Sequence, residues 1–151
     1  MTIRIGSNGF GRIGRSYPRC SWNERRPPAS PRLRWWPTTT SLRRPTYDSA
    51  YGRLGCTVEH DDESLTAGGH RIAVTSERDP ADLPWEALGV DVVIGATGRF
   101  RTGQGASRHL RAGARRVLLS VHGKGVGGTL VSGVNECAYH PYAHHVISNA
   151  S

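Results

Sequence analysis

Thr2-Ile3-Arg4-Ile5-Gly6-Ser7-Asn8-Gly9-Phe10-Gly11-Arg12-Ile13-Gly14 opens the chain, and the reading of these residues decides the fold. Residues 2–6 alternate short apolar and polar side chains, the period of a β-strand. Residues 7–14 form a glycine-rich turn, and Arg12 onward is compatible with a helix. Within this stretch Gly9, Gly11 and Gly14 stand in the spacing G-x-G-x-x-G. Alone the string says little, because glycine occurs 19 times in 151 residues. The strand ahead and the helix behind give it meaning. The first glycine permits a tight turn, the second lets backbone approach a pyrophosphate, and the third lets helix pack on strand. Phosphates then meet the amides and positive dipole end of the helix. Gly9, Phe10, Gly11, Arg12, Ile13 and Gly14 are therefore the first candidate cofactor-binding residues. The plain alternative is a glycine-rich loop that holds no ligand.

Working outward, residues 64–67 and 70–75 read as a β-hairpin across Gly68-Gly69, a turn that tolerates positive φ. Asp79-Pro80-Ala81-Asp82 reads as a capped helix start with proline at the first position. Residues 90–96 (VDVVIGA) are a short β-branched run of the kind buried in parallel sheets, and residues 116–121 (RVLLSV) read as another buried strand. Residues 103–112 have helix character between them, and residues 128–134 and 145–148 read as strands. This alternation predicts one α/β domain over residues 1–151, a Rossmann-like, doubly wound, mostly parallel sheet with an inserted β-hairpin and helices on both faces.

Residues 17–46 break the pattern. The chain carries a net charge of +8. Seven arginines (19, 25, 26, 32, 34, 43 and 44) against Glu24 place +6 of it here, leaving +2 for the other 121 residues. Six of nine prolines and three of four tryptophans fall in the same stretch. Repeated proline opposes a regular helix or central strand, which predicts a loop. The acid that grips ribose hydroxyls about 20 residues after the glycine turn is missing. The genetic code offers a reason. Trp35-Trp36-Pro37-Thr38-Thr39 is encoded TGG-TGG-CCN-ACN-ACN. Begun one base earlier, it reads Leu, Met or Val, then Val-Ala, then two residues drawn from Asn, Asp, His and Tyr. That is an apolar strand with a candidate acid at its end, so residues 17–46 are read as translated out of frame.

Other classes fit less well. No apolar run approaches the ~20 residues of a membrane span, and residues 1–6 show no signal-peptide pattern. Cys20, Cys56 and Cys137 are odd in number and widely spaced, which argues for reduced thiols and a cytoplasmic location. Cys137, His140, His144 and His145 imitate metal spacing, but no second Cys pair completes a zinc site, and no metal is expected. The arginine–tryptophan stretch could be read as a nucleic-acid module, yet it carries no recognition-fold motif.

The ordered motifs resemble one family. Asn8-Gly9-Phe10-Gly11-Arg12-Ile13-Gly14-Arg15 is similar to the N-terminal signature of glyceraldehyde-3-phosphate dehydrogenases. So are Tyr47-Asp48-Ser49 with Gly52, Glu77-Arg78-Asp79-Pro80, Thr97-Gly98-Arg99-Phe100, Gly133-Val134-Asn135 and residues 146–151 (VISNAS). The resemblance covers most of the chain outside residues 18–46. It implies NAD as cofactor, with NADP left open because the discriminating position falls in the irregular stretch. It implies backbone amides of Arg12 and Ile13 on the pyrophosphate, and Arg78, Thr97, Gly98 and Ser120 along the adenine and nicotinamide portions. It also implies a small-molecule aldehyde substrate, a cytoplasmic homotetramer for the full-length enzyme, and no membrane. In the family, Ser-Asn-Ala-Ser leads into the nucleophilic cysteine, so Ser151 is expected beside the substrate. The catalytic domain is expected to be absent and this chain catalytically silent. A non-catalytic nucleotide-binding remnant is the alternative. The family pattern also has an acid and a hydroxyl where Gly95 and Ala96 stand, and Ala-Pro where Val121 and His122 stand.

Overall fold

The computed structural model describes residues 2–22, 32–38, 47, 48, 52, 53, 55–61 and 63–149. In chain order the main elements are β1 (Thr2–Asn8), α1 (Arg12–Trp22), β2 (Arg32–Thr38), β3 (Tyr47–Asp48), β4 (Gly52–Arg53), β5 (Val58–His60), β6 (Ser64–Ala67) and β7 (His70–Ala73). A 3-10 turn (Pro80–Asp82) follows, then α2 (Trp85–Leu88), β8 (Val92–Gly95), α3 (Gly103–Arg111), β9 (Arg116–Leu119), β10 (Gly128–Thr129), a second 3-10 turn (Glu136–Ala138) and β11 (Val146–Ser148). Six strands form one sheet in the order β10-β11-β9-β8-β1-β2, and every pairing in it is parallel. The chain leaves β1 through α1 to β2 on one side, then returns to β8 on the other. The strand order therefore reverses between β1 and β8, where doubly wound sheets open a ligand crevice at their carboxyl ends.

Side chains alternate across the sheet, and both faces are covered. Ile94 packs with Ile5, Phe10, Leu65 and Ile72, the last two supplied by the small sheet of β5, β6 and β7. Its neighbour Val93 points to the opposite face and packs with Leu83, Trp85, Val90 and Ala114. Gly6 belongs to that second face. A Cβ there would sit 2.8 Å from the Trp85 ring, so the missing side chain lets the indole lie against β1. Farther along, Ala106 of α3 packs with Val117, Leu119 and Val146. The hairpin turn falls at Gly68-Gly69 with φ of 54° and 78°, the left-handed pair that matches strand twist.

The irregular stretch departs from expectation in two places. α1 runs on through Pro18 to Trp22. Proline removes one donor there, and its ring is buried against the rest of the fold. Residues 32–38, expected as loop, form β2, with Thr2 through Asn8 in register with Arg32 through Thr38. Pro37 is compatible with this strand because β2 lies at the sheet edge, where one side needs no ladder donor. Residues 23–31 and 39–46 lie outside the described residues.

Elsewhere the sequence reading is close, with shorter elements. The strand expected at 128–134 ends at Thr129, because Asn135 folds the chain back: its side chain accepts from the Val131 amide at 2.6 Å and donates to the Thr129 carbonyl at 3.1 Å. Asp79 caps as expected, accepting from the Ala81 amide at 3.0 Å, but the helix it starts is a single 3-10 turn. α2 and β5 carried no signal of their own in the sequence reading.

Candidate cofactor-binding site

β1 delivers the glycine turn to the carboxyl edge of the sheet. Ser7 and Asn8 are buried there, and the Asn8 carbonyl accepts from the Ala96 amide at 2.7 Å, tying the end of β1 to the end of β8. The Ser7 hydroxyl donates to the Gly9 carbonyl at 3.0 Å. The chain then bends, with Gly9 at φ 99°, and α1 begins three residues later.

Each glycine of the motif has its own geometric reason. A Cβ on Gly9 would lie 2.8 Å from the Thr97 amide nitrogen and 2.9 Å from the Ala96 carbonyl carbon, so only glycine brings the β1 and β8 loops this close. A Cβ on Gly14 would overlap the Gly9 carbonyl oxygen, so the first turn of α1 can sit on the loop only without one. Gly11 differs, because a Cβ there would meet nothing within 4 Å. Neither packing nor strand pairing requires a glycine at that point, and its bare backbone faces open space. At the reversal of strand order, an open backbone at this point leaves room for a pyrophosphate to approach.

The helix start carries nothing that opposes an anion. The first turn of α1 contains no acid. Arg12 and Ile13 are exposed, and the Arg12 side chain makes no hydrogen bond or ion pair with a described residue. Unpaired amides and the helix dipole thus face outward at the reversal of strand order. Phe10 behaves differently from its neighbours: its side chain is a core residue packed with Ile5 and Ile94, so only its backbone belongs to the turn.

Of the remaining sequence candidates, Thr97, Gly98 and Ser120 lie at the same edge. Thr97 and Gly98 follow β8 after Ala96 and are exposed, and the Thr97 hydroxyl accepts from the Arg99 amide at 3.2 Å. Ser120 follows β9. Both its amide and its hydroxyl donate to the Gly95 carbonyl at 3.1 Å, which leaves the hydroxyl oxygen able to accept but commits its proton. Arg78 is exposed in residues 74–79, the segment that leaves β7, and β7 packs beside β2. Its neighbour Asp79 is not available to a ligand. The Ala81 amide and then Arg108, at 3.0 Å, hold its carboxyl below the usual carboxylate range. Ser151 lies outside the described residues.

One feature of this edge was missed in the sequence reading. Ser148 is fully buried, donates to the Val121 carbonyl at 2.7 Å and accepts from the Gly123 amide at 3.1 Å, so it fixes the turn after β9. Its signal was present in the apolar run around it, which marks a strand end, but not the partner. The histidines near residue 140 are engaged locally. Arg116 reaches His145 Nδ1 at 3.0 Å and the Pro141 carbonyl, and the His140 amide donates to His144 Nδ1 at 3.2 Å. Among the described residues no three metal-ligating side chains converge, and no helix is long and apolar enough to cross a membrane.

A parallel doubly wound sheet with a glycine turn at its order reversal defines a dinucleotide-binding domain. The family described as glyceraldehyde 3-phosphate dehydrogenase, NAD binding domain, matches residues 3–103. The chain belongs to the glyceraldehyde-3-phosphate dehydrogenase family, in its NAD-binding part. Similar curated proteins are the glyceraldehyde-3-phosphate dehydrogenases of Streptomyces coelicolor (45% identical over 152 residues), Pseudomonas aeruginosa (44% over 156) and Geobacillus stearothermophilus (41% over 151). Each match covers 100% of this chain and 45%, 46% and 45% of the relative respectively. The chain thus spans about half the length of the curated relatives it matches.

Proposed function

We propose that this chain holds NAD with its pyrophosphate over the turn from Gly9 to Gly14, and that it supplies the cofactor-binding half of a phosphorylating, NAD-dependent aldehyde dehydrogenase. The single observation that carries the reading is the division of labour among the three glycines: two are demanded by packing, and Gly11 is left open to solvent. In this arrangement the amides of Arg12 and Ile13 bind the pyrophosphate. Arg78 flanks the adenosine, and Thr97, Gly98 and the Ser120 oxygen line the path toward the nicotinamide. When bound, NAD supplies the hydride acceptor; these residues orient it.

The whole enzyme would act on glyceraldehyde 3-phosphate or a close aldehyde phosphate, in the cytoplasm, as a homotetramer. Thiolate attack on an aldehyde needs a cysteine with a lowered pKa beside a histidine. Neither Cys56, half-buried under the Gly68 turn, nor the exposed Cys137 makes a contact of that kind. The 151-residue chain assayed with glyceraldehyde 3-phosphate, NAD and phosphate should therefore give no turnover, and turnover above background would overturn that part of the proposal.

Calorimetric titration of the chain with NAD tests the binding claim. One-site binding that weakens in Gly11→Ala supports it. No heat with NAD would leave a nucleotide-binding fold without its ligand.

A further inference from the structure

We propose that Ser148 is a positioning residue for the nicotinamide end of the cofactor, an inference that rests on the binding reading above and extends it to a side chain acting through another segment. A doubly wound domain divides its dinucleotide between two halves, each mononucleotide lying at the carboxyl ends of its own strands. The glycine turn belongs to the half built on β1 and β2, so the nicotinamide half falls to β8, β9 and β11. There residues 120–124 cross the carboxyl edge as a strap. On the β8 side the Gly95 carbonyl accepts from the Ser120 amide and from its hydroxyl, both at 3.1 Å. The Lys124 amide donates to the Arg101 carbonyl at 2.9 Å, and the Lys124 carbonyl accepts from the Gly103 amide at 2.8 Å.

On the β11 side a single hydroxyl holds the bend of the strap. Ser148 is the last residue of β11, in register with Leu119 at the end of β9. Its Oγ donates to the Val121 carbonyl at 2.7 Å and accepts from the Gly123 amide at 3.1 Å. The bend is also seated hard against the strands below it. A Cβ on Gly123 would lie 2.7 Å from Val126 Cγ1, 3.0 Å from Leu119 Cδ1 and 3.4 Å from Ser148 Cβ, so the strap has no room to settle inward. Without the hydroxyl, the Val121 carbonyl and the buried Gly123 amide lose their partner, and the strap must lift toward water to satisfy them. That movement carries it into the crevice on the Ser120 side. The glycine turn is tied elsewhere, to the end of β8 through the Asn8 carbonyl and the Ala96 amide at 2.7 Å. Loss of the Ser148 hydroxyl should therefore disturb the nicotinamide half and spare the half that holds the pyrophosphate.

ADP-ribose, which is NAD without its nicotinamide ring, separates the two halves. Calorimetric titration of the full chain and of Ser148→Ala with each ligand reads the difference. In Ser148→Ala the affinity for NAD should fall about tenfold, while that for ADP-ribose changes less than about twofold. Equal loss of both ligands, or loss of neither, overturns the positioning role, because a merely structural serine would weaken the two alike. Amide hydrogen exchange on the unsubstituted chain gives a second reading that does not depend on the variant folding. Saturating NAD should slow exchange at Gly123 and Lys124 several-fold more than saturating ADP-ribose does, and equal protection by the two overturns the inference. Binding of neither ligand to the unsubstituted chain overturns the proposed function and this inference together, whereas binding of both with the same response to Ser148→Ala overturns this inference alone.

Discussion

Trp85 and His109 set a sharp limit on the stability of this domain in acid. Both are buried, with relative exposures of 0% and 1%. The indole Nε1 donates to His109 Nδ1 at 3.0 Å. Indole is a donor only, so Nδ1 must be an unprotonated acceptor and the ring is neutral. A second proton would set N–H against N–H inside the core. Burial is the main cause that pushes the His109 pKa down to about 4, and the charge of Asp79 opposes it weakly. In the unfolded chain the imidazole takes a proton from about pH 6.5 downward. Between these values the unfolded state binds more protons than the folded state, so stability falls as pH falls, and below about pH 4 no further loss follows. The window spans about 2.5 pH units, which at 1.36 kcal/mol per unit amounts to about 3 kcal/mol. That is a large share of the ~5–15 kcal/mol that holds a domain together.

Urea unfolding at pH 7, 6, 5 and 4 measures the loss, and His109→Gln provides the reference. Glutamine keeps an acceptor for the Trp85 indole and does not titrate. The other six histidines are exposed or half-buried, and their contributions cancel in the comparison. Asp61 and Asp79 also carry lowered pKa values, from the amide of Glu63 and the amide of Ala81 first. Their effect comes at more acid pH, where carboxylates protonate, and it is common to both proteins. The wild-type chain should lose about 3 kcal/mol more than His109→Gln between pH 7 and pH 4. Parallel curves for the two proteins would refute the reasoning, because they would mean that His109 protonates as easily in the fold as out of it.

The glycine turn yields a matched pair of variants. Gly14→Ala should lower stability by about 1–3 kcal/mol, read as a lower midpoint in the same urea melts, because the methyl meets the Gly9 carbonyl. Gly11→Ala should leave the melt within about 0.5 kcal/mol of wild type, since its methyl enters open space, yet weaken NAD binding in calorimetry. Equal effects of the two on stability would count against separate roles for these glycines. Trp85→Phe removes the indole donor while keeping most of the ring. It should cost about 1–3 kcal/mol by leaving His109 Nδ1 without its partner, and a neutral result would show that water or a rearranged neighbour satisfies it. Reading the codons for residues 17–46 checks the frame: compensating shifts near both ends, against close relatives, are expected, and one continuous frame shared with them excludes the idea.

The fold was legible where side-chain period and backbone chemistry point the same way. Residues 92–95 are a short β-branched run and residues 116–119 a short apolar one, each with turn signals on both sides, and their burial on two faces leaves little freedom in assignment. The Gly68-Gly69 turn and the Asp79 cap are local, so sequence suffices for them. β2 was not legible, because its proline and arginines argue against a central strand. What places it is non-local: β1 needs a partner on its outer side, and an edge position tolerates Pro37. The strand expected past Thr129 failed for a similar reason, since the Asn135 side chain that closes the turn has no periodic signature. At the site, the glycines were legible in kind, but the distinction of Gly11 from Gly9 and Gly14 required knowing what each absent Cβ would strike.

The end of β2 joins these threads. The strand stops at Thr38, and the frame begun one base earlier places Asn, Asp, His or Tyr at the corresponding position and the next. A change of frame would thus bring a candidate acid to the end of the strand, where doubly wound domains carry the acceptor for ribose hydroxyls. The polypeptide as it stands and its in-frame counterpart would differ little in the glycine turn, in Arg78 or in the edges of β8 and β9, since these lie outside residues 17–46. They would differ in the residues at the end of β2. NAD affinity, measured beside a urea melt on one chain, therefore separates loss of the acid from loss of the fold: a collapsed domain loses its melt and the nucleotide together, whereas an intact one lacking only the acid keeps its melt and binds NAD more weakly.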